Sequence, residues 1–257
     1  MSEIIYVEKD RIAWIFLNRP EKRNALHAEM LKDLRACFEK AESNEQIRAV
    51  CLGAKGKYFC SGADLSLLLQ SFQNTDEQNI EDSRRMAELY VYLYTFPKPF
   101  VTVLEGPALA GGAGLATISD YCFATKEAYI SYPEVKVGYV PAIVSLFLNQ
   151  KLGLHHAKKL LLTGTELSAE EAKKWGLIEE IYSSDEIMDQ VNLFLQQLCL
   201  KVSAQSFAQT KKLMHCYDEG SFAKNLEKAV FLNVEARKTE DFLKGVQSFM
   251  NKEKLNW

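Results

Sequence analysis

The residues of this 257-residue chain whose types and spacing could do chemistry are one acid and two small-residue turns. The stretch "GPALAGGAGLATISDY", residues 106–121, holds Gly106, Gly111, Gly112 and Gly114. It has no side chain able to act as acid, base or nucleophile before Thr117. Chemistry there must come from the backbone. A glycine turn at a helix start leaves N–H groups without intrahelical acceptors, and the helix dipole adds positive potential. Such donors stabilise an oxyanion that develops on an ester or thioester carbonyl, and small residues let the substrate lie against the main chain. A second turn of this kind occurs in "KYFCSGADLSLL", where Gly62 and Ala63 precede a helix-like segment. Each turn alone reads first as plain tight geometry. Together they could aim two N–H groups at one oxygen, whereas Glu134 in "SYPEV" reads by type alone as a surface carboxylate or a helix-start acid.

Other glycine chemistries fit less well. "VTVLEG" followed by "GGAGLAT" has a dinucleotide-binding flavour, with Glu134 about 20 residues on where a ribose-binding acid would sit. Thr117 stands where the third glycine should be, Pro107 interrupts the strand-to-turn junction, and other βα units precede the segment. No Lys-Ser or Lys-Thr pair follows to make a phosphate loop. Cys60, beside the proposed hole, has no histidine motif to activate it and reads as a packed thiol. The six cysteines are scattered without C-x-x-C pairs, the pattern of reduced core thiols. His155 and His156 are adjacent, so on a helix they point different ways, and no metal site is expected. Tyr132 and Tyr139 flank Glu134 and either pack or orient water or substrate.

The elements that must position these residues follow from periodicity. "IIYVEKDRIAWIFLNRP" reads as two strands around a turn at Lys9 and Asp10. "AEMLKDLRACFEKAESN" places Leu31, Leu34 and Phe38 at helical spacing, and "IRAVCLGA", "KPFVTVLEG" and "DYCFATKEAYISY" read as strands. Between them, "QSFQNTDEQNIEDSRR" is polar and reads as a mobile loop (residues 70–85) leading into a helix. "LSAEEAKKWGLIEEI" carries a capping box, with Ser168 accepting, Glu171 reaching back and Gly176 ending the helix. From residue 185 onward, amphipathic helical segments dominate. Strand and helix in succession indicate an α/β core over residues 1–184, with some parallel pairing, followed by a helical region at 185–257. A formal net charge of −3 argues against nucleic acid as a main partner. No apolar run approaches the roughly 20 residues of a membrane span, and no signal peptide is visible, so a cytoplasmic protein is expected.

Read in order, "LNRPEKRNAL", "FCSGADL", "GPALAGGAGLATISDYCFA" and "YPEVKVGYVPA" resemble the enoyl-CoA hydratase/isomerase (crotonase) superfamily. The similarity continues through "AKKLLLTGTELSAEEAKKWGLIEEI" to "FMNKEKLNW". The resemblance implies an α/β spiral of ββα units with a helical C-terminal trimerisation region, assembled as a homotrimer or a dimer of trimers. It implies an acyl-CoA thioester substrate, with coenzyme A part of the substrate rather than a separate cofactor. By the same resemblance, the Ala63 and Gly111 N–H groups form the oxyanion hole and Glu134 exchanges a proton near Cα. Lys22, Arg23, Ala25, Ser61, Asp64 and Leu65 border the CoA moiety. One departure bears on the reaction: hydratases of the crotonyl type carry a second glutamate at the position of Gly114. Ala142 is a smaller departure, standing where many members have glycine. Gly114 and "VPAIVSLFL" resemble the methylglutaconyl-CoA hydratase-like branch, while a single glutamate also resembles Δ3-Δ2-enoyl-CoA isomerases. The expected reaction is hydration of an enoyl-CoA. Double-bond isomerisation and a catalytically silent acyl-CoA-binding homologue are the rivals.

Overall fold

The computed structural model describes residues 2–216 and 219–253, and the side chains of these except 216 and 219–222. The end of the closing motif, residues 254–257, and the Cys216 side chain therefore lie outside the described residues. In chain order the strands are β1 (Ile4–Lys9), β2 (Ile12–Leu17), β3 (Ala49–Ala54), β4 (Phe100–Leu104), β5 (Ala108–Leu109), β6 (Tyr121–Thr125), β7 (Tyr129–Ser131), β8 (Leu167–Ser168) and β9 (Glu180–Tyr182). The helices are α1 (Ala28–Ser43), α2 (Leu65–Gln70), α3 (Asp76–Tyr94), α4 (Gly111–Ile118), α5 (Ala142–Thr163), α6 (Ala169–Lys174), α7 (Ile187–Lys201), α8 (Ala204–Cys216), α9 (Glu219–Arg237) and α10 (Glu240–Met250).

A six-stranded sheet runs β1-β2-β3-β4-β6-β9, antiparallel only between β1 and β2, and a small second sheet runs β5-β7-β8. The parallel strands read as continuous apolar runs because both of their faces are covered. Alternate residues of β3 show this: Val50 and Leu52 enter the main core, while Ala49 and Cys51 face the opposite way. On that opposite face Ile187, Val191 and Leu195 of α7 close a second core. In the main core Phe38 of α1 packs edge-on against Phe96 and Phe100, with ring centroids 5.1 and 4.9 Å apart. Truncating such a buried ring to alanine costs about 3–5 kcal/mol.

Three local expectations change. The β1–β2 turn falls on Asp10 and Arg11, both at positive φ, one residue later than expected. Ser168 does accept from the Glu171 N–H at 3.3 Å and Gly176 does turn left-handed after α6. The return bond from Glu171 is absent among the described residues, its side chain facing solvent. The larger correction concerns residues 70–85, which are not a mobile loop. They complete α2, pass through one 3₁₀ turn and form the first half of α3, started by a reciprocal capping box between Thr75 and Gln78. The helical period was hidden because α3 buries Asn79 and Ser83, two polar residues, on its inner face.

From residue 185 on, the described residues are mostly helical, and these helices pack on the α/β core. Helix α9 packs on α3 and α5, and α10 lies against the 3₁₀ turn Pro133–Val137 and against α2. That approach is backbone-close: a Cβ at Gly245 of α10 would sit 2.4 Å from the Val137 carbonyl oxygen. No described helix is long and apolar enough to cross a membrane.

Candidate active site

The two small-residue turns meet. Gly62 has φ +84°, and a Cβ there would lie 2.7 Å from the Ala110 Cβ and 3.3 Å from the Gly111 nitrogen. Only glycine satisfies both demands. Ala63 sits in a parallel bridge to Leu26, in which the Leu26 N–H donates to Gly62 O at 2.7 Å and the Asp64 N–H to Leu26 O at 2.9 Å. The alternation of a bridged strand turns the Ala63 N–H to the other side. Across from it, Ala110 is held at φ 49°, ψ −122°, a conformation that costs a non-glycine residue roughly 1–3 kcal/mol. Ala110 is pinned there by its own N–H bond to Ser131 O at 2.9 Å, and it directs the first N–H of α4, that of Gly111, into the gap. Among the described residues neither the Ala63 nor the Gly111 N–H has an acceptor. Two donors without acceptors on adjacent turns, one backed by a helix, are an arrangement suited to stabilising an oxyanion.

Glu134 reaches the same space from the 3₁₀ turn Pro133–Val137. It is 8% exposed, and its Oε2 has no hydrogen-bond partner. Burial lifts its carboxyl from 4.5 to about 7, opposed only by a bond from its own backbone. An orphaned carboxyl oxygen poised near neutrality is suited to giving and taking a proton. Its main-chain oxygen accepts from the Tyr139 N–H at 2.9 Å, and the left-handed Gly138 ends the turn.

Lys22, Arg23, Ala25, Ser61, Ala63, Asp64, Leu65, Gly111 and Glu134 all line one cavity of about 620 Å³. The Lys22–Arg23 corner is built by Asn24, whose buried amide accepts from Arg19 N and donates to Lys55 O and Tyr58 O at 2.8–2.9 Å. The Ser61 N–H then donates to Arg23 O at 3.0 Å, joining that corner to the Ala63 turn. Asp64 borders the cavity, but its carboxylate is committed elsewhere. It caps α2 through Ser66 and pairs with Arg19 at 3.0 Å. The buried Cys60 thiol, raised to about 12 by burial, donates to Asn24 O and is a packed group as expected. Tyr132 also packs, fully buried, with its hydroxyl 2.5 Å from Thr117 Oγ1.

Tyr90, Val144, Asn233 and Arg237, which the sequence reading missed, stand beside Gly114 and Tyr139, which it named. A Cβ on Gly114 would lie 2.5 Å from Val144 Cγ1 and 2.6 Å from Tyr90 Cε1. The space of a second carboxylate is thus filled by an aromatic ring and a valine. Tyr90 is fully buried, and its hydroxyl donates to the Gly111 carbonyl oxygen, at the first residue of α4 beside the hole. Tyr139 lines the cavity too, its hydroxyl shared with Asn233 and Arg237 of α9. Nothing in their local patterns marks these residues, since each looks like part of an amphipathic helix or a strand end.

Comparison with known proteins agrees with this geometry. The family model "Enoyl-CoA hydratase/isomerase" matches residues 8–257. A Thermus thermophilus protein provisionally named an enoyl-CoA hydratase is 36% identical over 249 residues, 97% of this chain and 98% of that one. The solved structure of an enoyl-CoA hydratase/isomerase from Xanthobacter autotrophicus Py2 superposes with a TM-score of 0.88 at 26% identity, covering 97% of this chain and 93% of that chain. An enoyl-CoA hydratase from Bacillus halodurans gives 0.89 at 25% identity, covering 96% and 100%. None of these singles out the methylglutaconyl-CoA branch. Matched by that family model over residues 8–257 and folded as a crotonase, the chain belongs to the enoyl-CoA hydratase/isomerase family and is an enzyme of that family.

Proposed function

We propose that the enzyme hydrates 2-enoyl-CoA thioesters. The observation that carries this reading is the orphaned Glu134 carboxyl in the cavity that also receives the free Ala63 and Gly111 N–H groups. The thioester carbonyl accepts from both N–H groups, and Lys22, Arg23 and Leu65 border the CoA moiety. As water oxygen bonds to Cβ, electron density moves through Cα to the thioester oxygen, where the two donors meet it. Losing one such donor typically costs about 3–4 kcal/mol of barrier. Protonated Glu134 gives its proton to Cα, and the proton shed by the water returns to the carboxylate. One carboxyl with a pKa near neutrality can serve both transfers in one turnover.

Isomerisation is the second reading, favoured by the filled space at Gly114. There the Glu134 carboxylate removes a proton from Cα of a 3-enoyl thioester and returns it to Cγ, with the enolate held in the same hole. Turnover of crotonyl-, methylglutaconyl- and 3-hexenoyl-CoA in H₂¹⁸O, with products identified by mass spectrometry, tests both. Label in a 3-hydroxyacyl product supports hydration, and label-free double-bond migration alone would replace it with isomerisation. Binding without any turnover would leave a silent homologue. We further propose a homotrimer or dimer of trimers assembled through residues 185–257. Leu213 and Met214 of α8 and Phe231 and Leu232 of α9 are more than half exposed, an apolar surface that assembly would cover. Sedimentation at micromolar concentration reads the state directly.

A further inference from the structure

The wall that α3 and α9 bring to the cavity carries a cation without an anion. Arg237 is 8% exposed and lines the cavity with Ser83, Tyr139 and Asn233. Its Nε donates to Tyr139 Oη, one terminal nitrogen to Asn79 Oδ1, and the other to Ser83 Oγ and Asn233 Oδ1, each at 3.2 Å. All four acceptors are neutral. Those bonds use four of the five guanidinium N–H groups, leaving one on the nitrogen facing Asn79 without an acceptor among the described residues. The acids nearby in sequence are engaged by others: Glu235 and Asp76 pair with Lys238, and Glu227 with Arg84. Asp82 and Glu253 line the cavity but are exposed, and no described carboxylate pairs with Arg237.

Buried charges in folded proteins are almost always paired, because an unpaired one forfeits its hydration without compensation. The carbonyl end of α9, where Arg237 is the last residue, offsets part of that loss. A structural link from α9 to α3 would need only a neutral amide. Four neutral partners instead hold the guanidinium, and three of them line the cavity with it. Between this cluster and the hole the cavity wall is apolar, with Leu68, Met86, Ile143 and Val144. The cluster is joined to the acid by one residue, since Tyr139 bonds Glu134 O through its N–H and Arg237 through its hydroxyl.

We infer that the acyl group of the substrate ends in a carboxylate, held by Arg237 with the Asn233 amide N–H, so that the preferred substrates are CoA monothioesters of dicarboxylic acids. This rests on the acyl-CoA reading of the site and names the class of acyl group within it. Guanidinium suits such an anion because a charge-assisted N–H to carboxylate bond is roughly twice as strong as a neutral one, and one N–H is left to make it.

The test compares calorimetric binding of hexanoyl-CoA and adipoyl-CoA, saturated thioesters of equal length that end in methyl and carboxylate. Wild-type enzyme is expected to bind adipoyl-CoA roughly 10–100-fold tighter, the range of a charged hydrogen-bonded contact. Arg237→Met should weaken adipoyl-CoA binding roughly 10–100-fold more than hexanoyl-CoA binding, and Arg237→Lys should keep part of the preference. Equal or tighter binding of hexanoyl-CoA to wild type, or equal weakening of both ligands by Arg237→Met, overturns the inference. If Arg237→Met does not fold, the wild-type pair and Arg237→Lys still decide. Assaying the matching 2-enoyl thioesters separates the two proposals. Carboxylate-selective binding without hydration would sink the hydratase reading alone, and hydration with no carboxylate preference would sink this one alone.

Discussion

Replacing Glu134 with glutamine should make the enzyme more stable and nearly inactive, and the stability gain should depend on pH in one direction. Glu134 has a folded pKa near 7, against 4.5 for an unperturbed carboxyl, because burial disfavours the charged form. Below pH 4.5 the carboxyl is neutral in both folded and unfolded chains and contributes no pH-dependent cost. Between 4.5 and about 7 the unfolded chain releases the proton more readily than the folded one, so stability falls as pH rises. Above 7 the full cost is present, about 3 kcal/mol at about 1.4 kcal/mol per pH unit of difference. Glutamine has the shape of the protonated acid and leaves the same Oε2 position without a partner, so the comparison isolates the charge. Urea unfolding of wild type and Glu134→Gln should therefore agree near pH 4 and diverge by up to about 3 kcal/mol at pH 8, the variant being the more stable. At ~2–4 °C per kcal/mol for a chain of this size, that is a rise in Tm of roughly 6–12 °C at pH 8. Turnover of enoyl-CoA should fall by about 10²–10⁴-fold. A variant no more stable than wild type at pH 8 would show that the Glu134 carboxylate is solvated or paired in the folded enzyme. The account of the poised acid would then be wrong.

The same titration distinguishes the candidate reactions: hydration of a 2-enoyl thioester needs the acid form and should lose kcat/KM above about pH 7. Isomerisation of a 3-enoyl thioester needs the carboxylate and should gain it through the same range. Gly62→Ala should lower kcat by about 100-fold and destabilise the fold, because the new Cβ meets Ala110 at 2.7 Å at a φ of +84°; turnover and melting measured together check it. Gly114→Glu should not create a two-carboxylate hydratase, because Tyr90 and Val144 occupy the space. A soluble, folded variant with raised hydration would refute that. Tyr90→Phe should reduce kcat more than it raises KM, by a barrier change of about 1 kcal/mol, since it removes a bond to Gly111 O and no cavity wall. Cys60 should resist iodoacetamide in the folded enzyme, its buried thiol having a pKa near 12.

The hole was legible in the sequence because its chemistry is glycine chemistry, and glycine has few other reasons to cluster. Gly62 and Gly111 each read alone as tight geometry, and only the pair of turns pointed to a backbone function; the structure places the two glycines close together. Glu134 was legible only by resemblance, because a carboxylate before a turn is indistinguishable by type from one on the surface. It is buried in a turn that packs against α5 and against α10, the latter more than a hundred residues away. The polar face of α3 was misread for a related reason. Asn79 and Ser83 break the apolar period that marks a buried helix, and their partner Arg237 is about 150 residues downstream. Hydrophobic periodicity finds helices that bury apolar faces and overlooks one that buries a hydrogen-bonded polar cluster. The features easiest to read were the general ones of the chemistry, and those hardest to read set its particulars.

That division has a physical basis in how the cavity is assembled. Its catalytic wall is made of turns close in sequence to the sheet that positions them, so local patterns suffice to specify it. The remaining wall is contributed by α3, α9 and α10, which meet only after the chain has folded back on itself. Tyr139 joins the two walls, tied to Glu134 by its main chain and to Asn233 and Arg237 by its hydroxyl. A shift of α9 would therefore move the anion-binding end and disturb the acid's turn together. An acyl group that anchors on Arg237 would draw α9 toward the cavity and hold the Glu134 turn in place. Binding energy from the remote end of the substrate could in this way be spent on orienting the proton-transfer group, so carboxylate-ended substrates should gain in kcat as well as in affinity.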